Sequence, residues 1–179
     1  MIAIDATTLL LILSKTAPPP ADPVTKVPIA YARERIEFLI KTASEKKIKI
    51  VIPTPVLSEV LVYAGSATAD YISIINKTPA FRVASFDSRA ALEVALMCRI
   101  ALGENDKKGG STAPWAKIKY DRQIVAIAKV EGVTEIYSDD ADIKAIAGNV
   151  GISVVKLSDC PLPPELTQQS LPYSCGPDT

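Results

Sequence analysis

The sequence predicts an α/β protein: a three-layer α/β/α arrangement with a central parallel sheet and helices on both faces. Three observations predict it. Short apolar runs alternate with segments of helical periodicity along most of the chain, and such alternation implies a parallel sheet covered by its crossover helices. The first strand candidate, Ile2-Ala3-Ile4, is apolar on both faces, as a central parallel strand must be. The 179 residues are 48% hydrophobic and 22% charged, which is enough apolar surface for one buried core.

Asp5 ends the first strand, and residues 7–13 read as a short helix with a Thr cap. Pro18, Pro19, Pro20 and Pro23 then exclude any regular element, leaving a loop of unusual length. Residues 29–47 read as a helix, because Ala32, Ile36, Leu39, Ile40 and Ala43 share one face. Its charges Arg33, Glu34, Arg35 and Glu37 largely offset one another and read as a solvated face. A β-rich run at 48–52 is stopped by Pro53, and Pro55 opens an apolar helix at 56–63. After Gly65 comes a helix at 67–76, then an alternating strand at 81–86. Asp87 or Ser88 caps a helix at 89–102. Residues 103–115, with Gly109, Gly110 and Pro114, form a second long loop. A helix at 119–130, a strand at 134–137, a short helix at 142–147 and a strand at 152–155 complete the alternation. Residues 1–157 are therefore expected to form one domain, and 158–179, with five prolines, a surface-wrapped or disordered tail.

Composition narrows the chemistry. The chain has no histidine, which excludes a Ser-His-Asp or Cys-His hydrolase, a His-ligated zinc centre and a histidine general base. Twenty basic and twenty acidic residues give zero formal charge, which argues against a protein held to nucleic acid by bulk charge. Cys98, Cys160 and Cys175 form no CxxC pair, which suits a reducing compartment. The apolar start is interrupted by Asp5 and is too short to span a bilayer. A cytoplasmic protein with no membrane segment is expected.

Carboxylates gather where an open parallel sheet places its site, at the carboxyl ends of strands. Asp5 follows the first strand, and Asp139, Asp140 and Asp142 follow the strand at 134–137. Glu59 is the only acid between Glu45 and Asp70 and lies inside an apolar helix. Asp121 precedes Ile124 and Val125 by helical spacing, beside a core-facing stripe. Singly, each has a structural reading: Asp5, Asp139 and Asp140 as helix caps, Asp121 as a complement to a helix dipole, Glu59 reaching solvent. Together they repel one another unless a cation lies between them. Oxygen-only ligands suit Mg²⁺ or Mn²⁺.

At these residues the chain resembles the PIN-domain nucleases. Met1-Ile2-Ala3-Ile4-Asp5-Ala6-Thr7 looks like their opening strand and first acid. Thr54-Pro55-Val56-Leu57-Ser58-Glu59-Val60 looks like the second acid set in an apolar helix. Tyr120-Asp121-Arg122-Gln123-Ile124-Val125-Ala126 resembles the helix of the third. Ile136-Tyr137-Ser138-Asp139-Asp140-Ala141-Asp142 resembles the closing motif, with Ser138 as its hydroxyl, Asp139 as the variable residue and Asp140 as the fourth acid. The resemblance spans about residues 1–156, although the loops at 17–28 and 103–115 are long for compact toxin members and the tail has no counterpart.

The resemblance implies a metal-dependent ribonuclease that leaves a 5′-phosphate, with Asp5, Glu59, Asp121 and Asp140 as catalytic acids: Asp5, Asp121 and Asp140 as direct or water-mediated metal ligands, and Glu59 binding metal or orienting the water. Asp142 is expected as an auxiliary ligand, and Thr7, Ser138 and Asp139 just outside the ligand set. Lys107, Lys108, Lys117, Lys119 and Arg122 face a single acid, Asp121, over their stretch, and are expected to hold RNA phosphates. Trp115 either stacks on a base or anchors its loop. The family resemblance extends to toxins paired with an antitoxin protein, and to homodimers, for which the apolar helices from 56 to 76 need cover. Two other readings compete. A HAD-type phosphatase also starts with an Asp after its first strand, but needs a second acid where this chain has Thr7. A non-catalytic PIN-like scaffold binding RNA or protein is the remaining alternative.

Overall fold

The computed structural model describes residues 1–167. In chain order it contains β1 (Ile2–Ile4), α1 (Ala6–Leu13), α2 (Ala32–Glu45), β2 (Ile50–Pro53), α3 (Thr54–Ala64), α4 (Thr68–Lys77) and β3 (Phe81–Ala84). There follow α5 (Ser88–Gly103), α6 (Trp115–Val130), β4 (Glu135–Tyr137), α7 (Ala141–Gly148), β5 (Ser153–Val155) and α8 (Pro164–Thr167). The strands make one five-stranded sheet in the order β3-β2-β1-β4-β5, parallel throughout. Ile2 pairs with Ile50 on one side and Glu135 on the other, so β1 is central.

The chain steps from β1 through β2 to β3 in one direction across the sheet, and from β4 to β5 in the other. Right-handed crossovers therefore put α1 to α4 on one face and α5 to α7 on the other. Most helix contacts divide the same way: α1 meets α2 and α3, and α3 meets α4, while α6 meets α5 and α7; α3 and α6 also touch each other. This is the three-layer α/β/α arrangement expected from the sequence. Both faces are covered, so β1 and β2 are apolar throughout, and Ile4, Ile50, Ile52 and Ile136 are fully buried. The order of connection reverses between β1 and β4, which opens a crevice beyond their carboxyl ends.

Four local differences from the sequence expectation have physical reasons. Helix α2 starts at Ala32, because Ile29 donates its N–H to the Pro20 carbonyl at 2.9 Å and Tyr31 turns left-handed at φ 55°. Its arginines are not merely solvated. The Arg33 guanidinium donates to the carbonyls of Leu11 at 2.6 Å and Ser14 at 3.0 Å, tying the end of α1 to the proline-rich loop, and Arg35 donates to the Cys160 carbonyl. The cap of α1 is Asp5, not a threonine. Helix α6 starts at Trp115, a full turn earlier than the apolar stripe indicates, directly after Pro114.

Past β5 the chain stays packed as far as Cys160, and residues 161–167 are half-buried or exposed. Leu157 and Cys160 are buried in the core, and the turn Leu157–Asp159 contacts α2. The rest of the proline-rich tail, residues 168–179 with Cys175, lies outside the described residues. Among the described residues no helix is long and apolar enough to cross a membrane.

Candidate metal centre

Asp5 occupies the turn between β1 and α1. Its backbone is extended (φ −87°, ψ −179°), and its Oδ1 accepts the Thr8 N–H at 2.8 Å, satisfying a free donor of the first helical turn. The side chain is buried beside the hydroxyls of Ser138 and Thr8, the latter donating to the Tyr137 carbonyl at 3.4 Å. Burial holds this carboxyl above its ordinary range, the hydrogen bonds offsetting only part of the effect.

Asp140 repeats the arrangement between β4 and α7. Its Oδ1 accepts from the N–H groups of Asp142 at 2.7 Å and Ile143 at 3.3 Å. The Ser138 hydroxyl accepts the Asp140 N–H at 3.1 Å, so this buried serine joins the two turns. Asp139, beside it, accepts the Leu157 N–H at 3.2 Å. Burial raises its carboxyl above the usual range.

The third contribution comes from α6. Asp121 is buried, and burial raises its carboxyl despite the opposing pull of Lys117. Carboxylate oxygens of Asp121, Asp140 and Asp142 all lie within 4.8 Å of one another. The Lys117 ammonium sits among them, 2.7 Å from Asp121 Oδ2, 2.9 Å from Asp140 Oδ2 and 2.8 Å from Asp142 Oδ2. Burial alone would lower the Lys117 amine; the hydrogen bonds to Asp121, Asp142 and Asp140 outweigh it and hold the amine above its usual value. Lys117 and the Ser111 hydroxyl together hold Asp142 below the usual carboxylate range.

These groups open onto one cleft of ≈ 710 Å³ between α3, α6 and the loop around Pro20 and Pro23. Asp5, Glu59, Asp121, Asp139 and Asp140 line it, with Thr7 at its wall. The cleft thus collects the four acids singled out in the sequence from four separate elements. The tight triad is Asp121, Asp140 and Asp142, the last of which lies outside the cleft lining; Asp5 and Glu59 line the cleft but stand outside that triad, and Glu59 is exposed. Three hard oxygens converging on a point already held by an ammonium fit a cation of the Mg²⁺ or Mn²⁺ kind.

The basic residues divide. Lys107 and Lys119 are exposed, and Lys108 is half-buried. Arg122 is buried and spends its guanidinium on the Lys107 carbonyl at 2.7 Å and Cys98 Sγ at 3.2 Å. Its charge lies 5.2 Å from the Trp115 ring centroid, and Lys107 Nζ lies 5.6 Å from the same centroid. Trp115 and Arg122 thus tie the long loop to α6. Sequence reasoning missed two residues. Thr8, not the exposed Thr7, is the buried threonine beside Asp5 and donates its N–H to it, and Lys117 belongs to the acidic cluster. The three-residue Asp5–Thr8 cap spacing and the four-residue Lys117–Asp121 helix spacing are the signals that mark them.

By sequence the chain matches no family model and no curated protein. By structure it is similar to VapBC2 from Rickettsia felis bound to a promoter DNA fragment, with a TM-score of 0.57 at 13% identity over 87% of this chain and 98% of that one. It is similar to FitAB bound to the IR36 DNA fragment, at 0.58 and 14% identity over 88% of this chain and 96% of that one. DNA-bound VapBC from Salmonella typhimurium gives 0.54 and 16% identity over 87% and 97%. The fold is that of a PIN domain. In this chain's PIN fold, the cleft at the β1–β4 switch point is walled on one side by α3 and on the other by α6.

Proposed function

We propose that this protein is a Mg²⁺- or Mn²⁺-dependent ribonuclease that hydrolyses RNA phosphodiester bonds. One observation carries the reading: Asp5, Glu59, Asp121 and Asp140 come from four different elements and line a single cleft. Asp121, Asp140 and Asp142 would hold the cation, with Asp5 and Glu59 completing the acidic wall. When bound, such a cation neutralises charge on the phosphodiester and eases ionisation of a water. Glu59, exposed in the cleft, orients the attacking water and takes its proton. The water oxygen joins phosphorus, the bond to the 3′ oxygen breaks, and that oxygen leaves with a proton as a 3′-hydroxyl, opposite a 5′-phosphate. The Thr8 N–H holds Asp5 in place through this sequence. Lys107, Lys108 and Lys119 grip the flanking phosphates.

The test is Mn²⁺-dependent cleavage of RNA by the purified chain, lost in Asp5→Asn and Asp121→Asn. Equal cleavage by both variants sinks the assignment. The scaffold alternative draws on Lys117, whose ammonium already satisfies the triad; RNA retention without any Mn²⁺-dependent cleavage would favour it.

The reading extends to a toxin with an antitoxin partner, since the PIN neighbours are VapBC and FitAB toxin–antitoxin complexes. Exposed Val62 and Tyr63 on α3, beside the cleft, offer an apolar edge for such a partner. Growth arrest on induction of the wild type, absent with Asp121→Asn, is the expected sign. Homodimerisation belongs to the same proposal, with Ile74 of α4 also exposed, and light scattering at micromolar concentration tests it. The free thiols of Cys98 and Cys160 suit action in the cytoplasm.

A further inference from the structure

Lys117 has a place that neither a solvated lysine nor a phosphate-gripping one requires. Its Nζ lies 2.7–2.9 Å from one oxygen each of Asp121, Asp140 and Asp142, donating to the first and last and pairing in charge with all three. These are the three residues whose oxygens lie within 4.8 Å of one another. A divalent cation held by those oxygens takes the place of the ammonium, so the two exclude each other. The lysine side chain is 39% exposed, which leaves it a path out of the cluster without moving α6. It stands one helical turn before Asp121, so its departure breaks no backbone hydrogen bond.

We propose that Lys117 is a built-in competitor of the divalent cation: it neutralises the acidic triad in the metal-free protein and must swing out for the metal to enter. This rests on the metal-centre reading above and adds its regulation. Three carboxylates so close together repel, and the tethered ammonium removes much of that repulsion at no loss of translational freedom. Metal then binds only the fraction of molecules whose lysine is displaced, and the apparent affinity falls by that fraction. The result is a site that stays closed at low cation concentration and fills as the concentration rises.

The experiment titrates Mn²⁺ into the full chain by calorimetry and records melting temperatures with and without Mn²⁺. It compares wild type with Lys117→Met and Lys117→Arg, and uses Lys117→Gln if the Met variant fails to fold. The expected result is Mn²⁺ affinity at least about tenfold tighter in Lys117→Met. Lys117→Arg keeps the competing charge and stays near wild type. The metal-free Met variant melts lower than wild type, and Mn²⁺ raises its melting temperature by more. Equal or weaker Mn²⁺ binding in Lys117→Met, with wild type binding, overturns the competition and leaves the metal centre standing. Absence of Mn²⁺ binding in every variant overturns the metal centre and the competition with it.

Discussion

Asp140 uses its two oxygens for different purposes, and two substitutions separate them. Oδ1 caps α7 by accepting from Asp142 at 2.7 Å and Ile143 at 3.3 Å, while Oδ2 faces Lys117 at 2.9 Å. Asp140→Asn keeps a carbonyl oxygen for the cap and removes the charge; Asp140→Ala removes both. Loss of an N-cap costs about 1 kcal/mol. For a chain of this size that lowers the melting temperature by about 2–4 °C. The ion pair contributes less, because the Lys117 and Asp140 side chains are 39% and 31% exposed, and an exposed pair is worth about 0–1 kcal/mol. Removing the charge also relieves repulsion from Asp121 and Asp142, which offsets much of that loss. Metal-free Asp140→Asn is therefore expected within about 0.5 kcal/mol of wild type, and Asp140→Ala about 1 kcal/mol below it. Both lose Mn²⁺ affinity by at least about tenfold, since even residues that only orient a ligand are worth that much. Circular-dichroism melts in chelator and Mn²⁺ calorimetry read the two effects apart. Equal melting of the Asn and Ala variants refutes the capping role, and wild-type Mn²⁺ affinity in Asp140→Asn refutes the ligand role.

Three more outcomes follow from the structure. The folded state holds the proton of buried Asp5 more tightly than the unfolded chain does, so its contribution is fully present below the ordinary carboxylate value of 3.8 and lost as pH rises through the elevated one. Metal-free Asp5→Asn, which keeps the cap acceptor for Thr8, should thus be the more stable protein at pH 7, by about 1 kcal/mol in denaturant titration; a less stable variant contradicts the burial effect. Arg33→Met removes the ties from α2 to the carbonyls of Leu11 and Ser14, at about 1–2 kcal/mol, and should speed amide exchange through residues 14–28; unchanged exchange refutes the tie. Burial pushes the Cys160 thiol up to about 11 from 9.0, so stability is complete below pH 9 and falls as pH climbs through about 11; Cys160→Ala should flatten that fall in alkaline melts.

The layers, the parallel sheet and the strand-end acids were legible because each depends on local pattern. Ile2-Ala3-Ile4 reads as a doubly covered strand because both its faces are apolar, and a carboxylate right after such a strand has nowhere to go but the strand end. Lys117 was legible only in part. Its segment sits between Gly110 and Ile118 with little apolar repetition, so the sequence pattern starts the helix at 119 while Pro114 and Trp115 start it earlier. That turn decides whether Lys117 lies in a phosphate-facing loop or on the face of Asp121. Arg33 was illegible for another reason. Its partners lie between 16 and 22 residues upstream, and no periodicity reports which carbonyls a loop leaves unpaired. Thr7 and Thr8 differ by one position, and only the cap geometry at Asp5 selects the second.

Helix capping and metal binding look like rival explanations of Asp140 when each is read alone, but a capping carboxylate leaves one oxygen free and so can serve both. A cap residue has an extended backbone and gives one carboxylate oxygen to the first free N–H groups of its helix, whose positive end also stabilises the charge. The second oxygen is left to face outward. Asp87 shows that the cap by itself does not make a site. It follows β3 and accepts from Arg89 and Ala90 at 3.0 Å, yet its other oxygen is taken by the Arg89 side chain at 2.9 Å. Strand β3 is at the sheet edge, whereas β1 and β4 are adjacent at the centre, where the connections diverge. Only there do two caps face a common crevice, and only there can α6 bring Asp121 and Lys117 between them. Strand order, more than the identity of the acid, therefore decides which capping carboxylate is placed where a ligand could act.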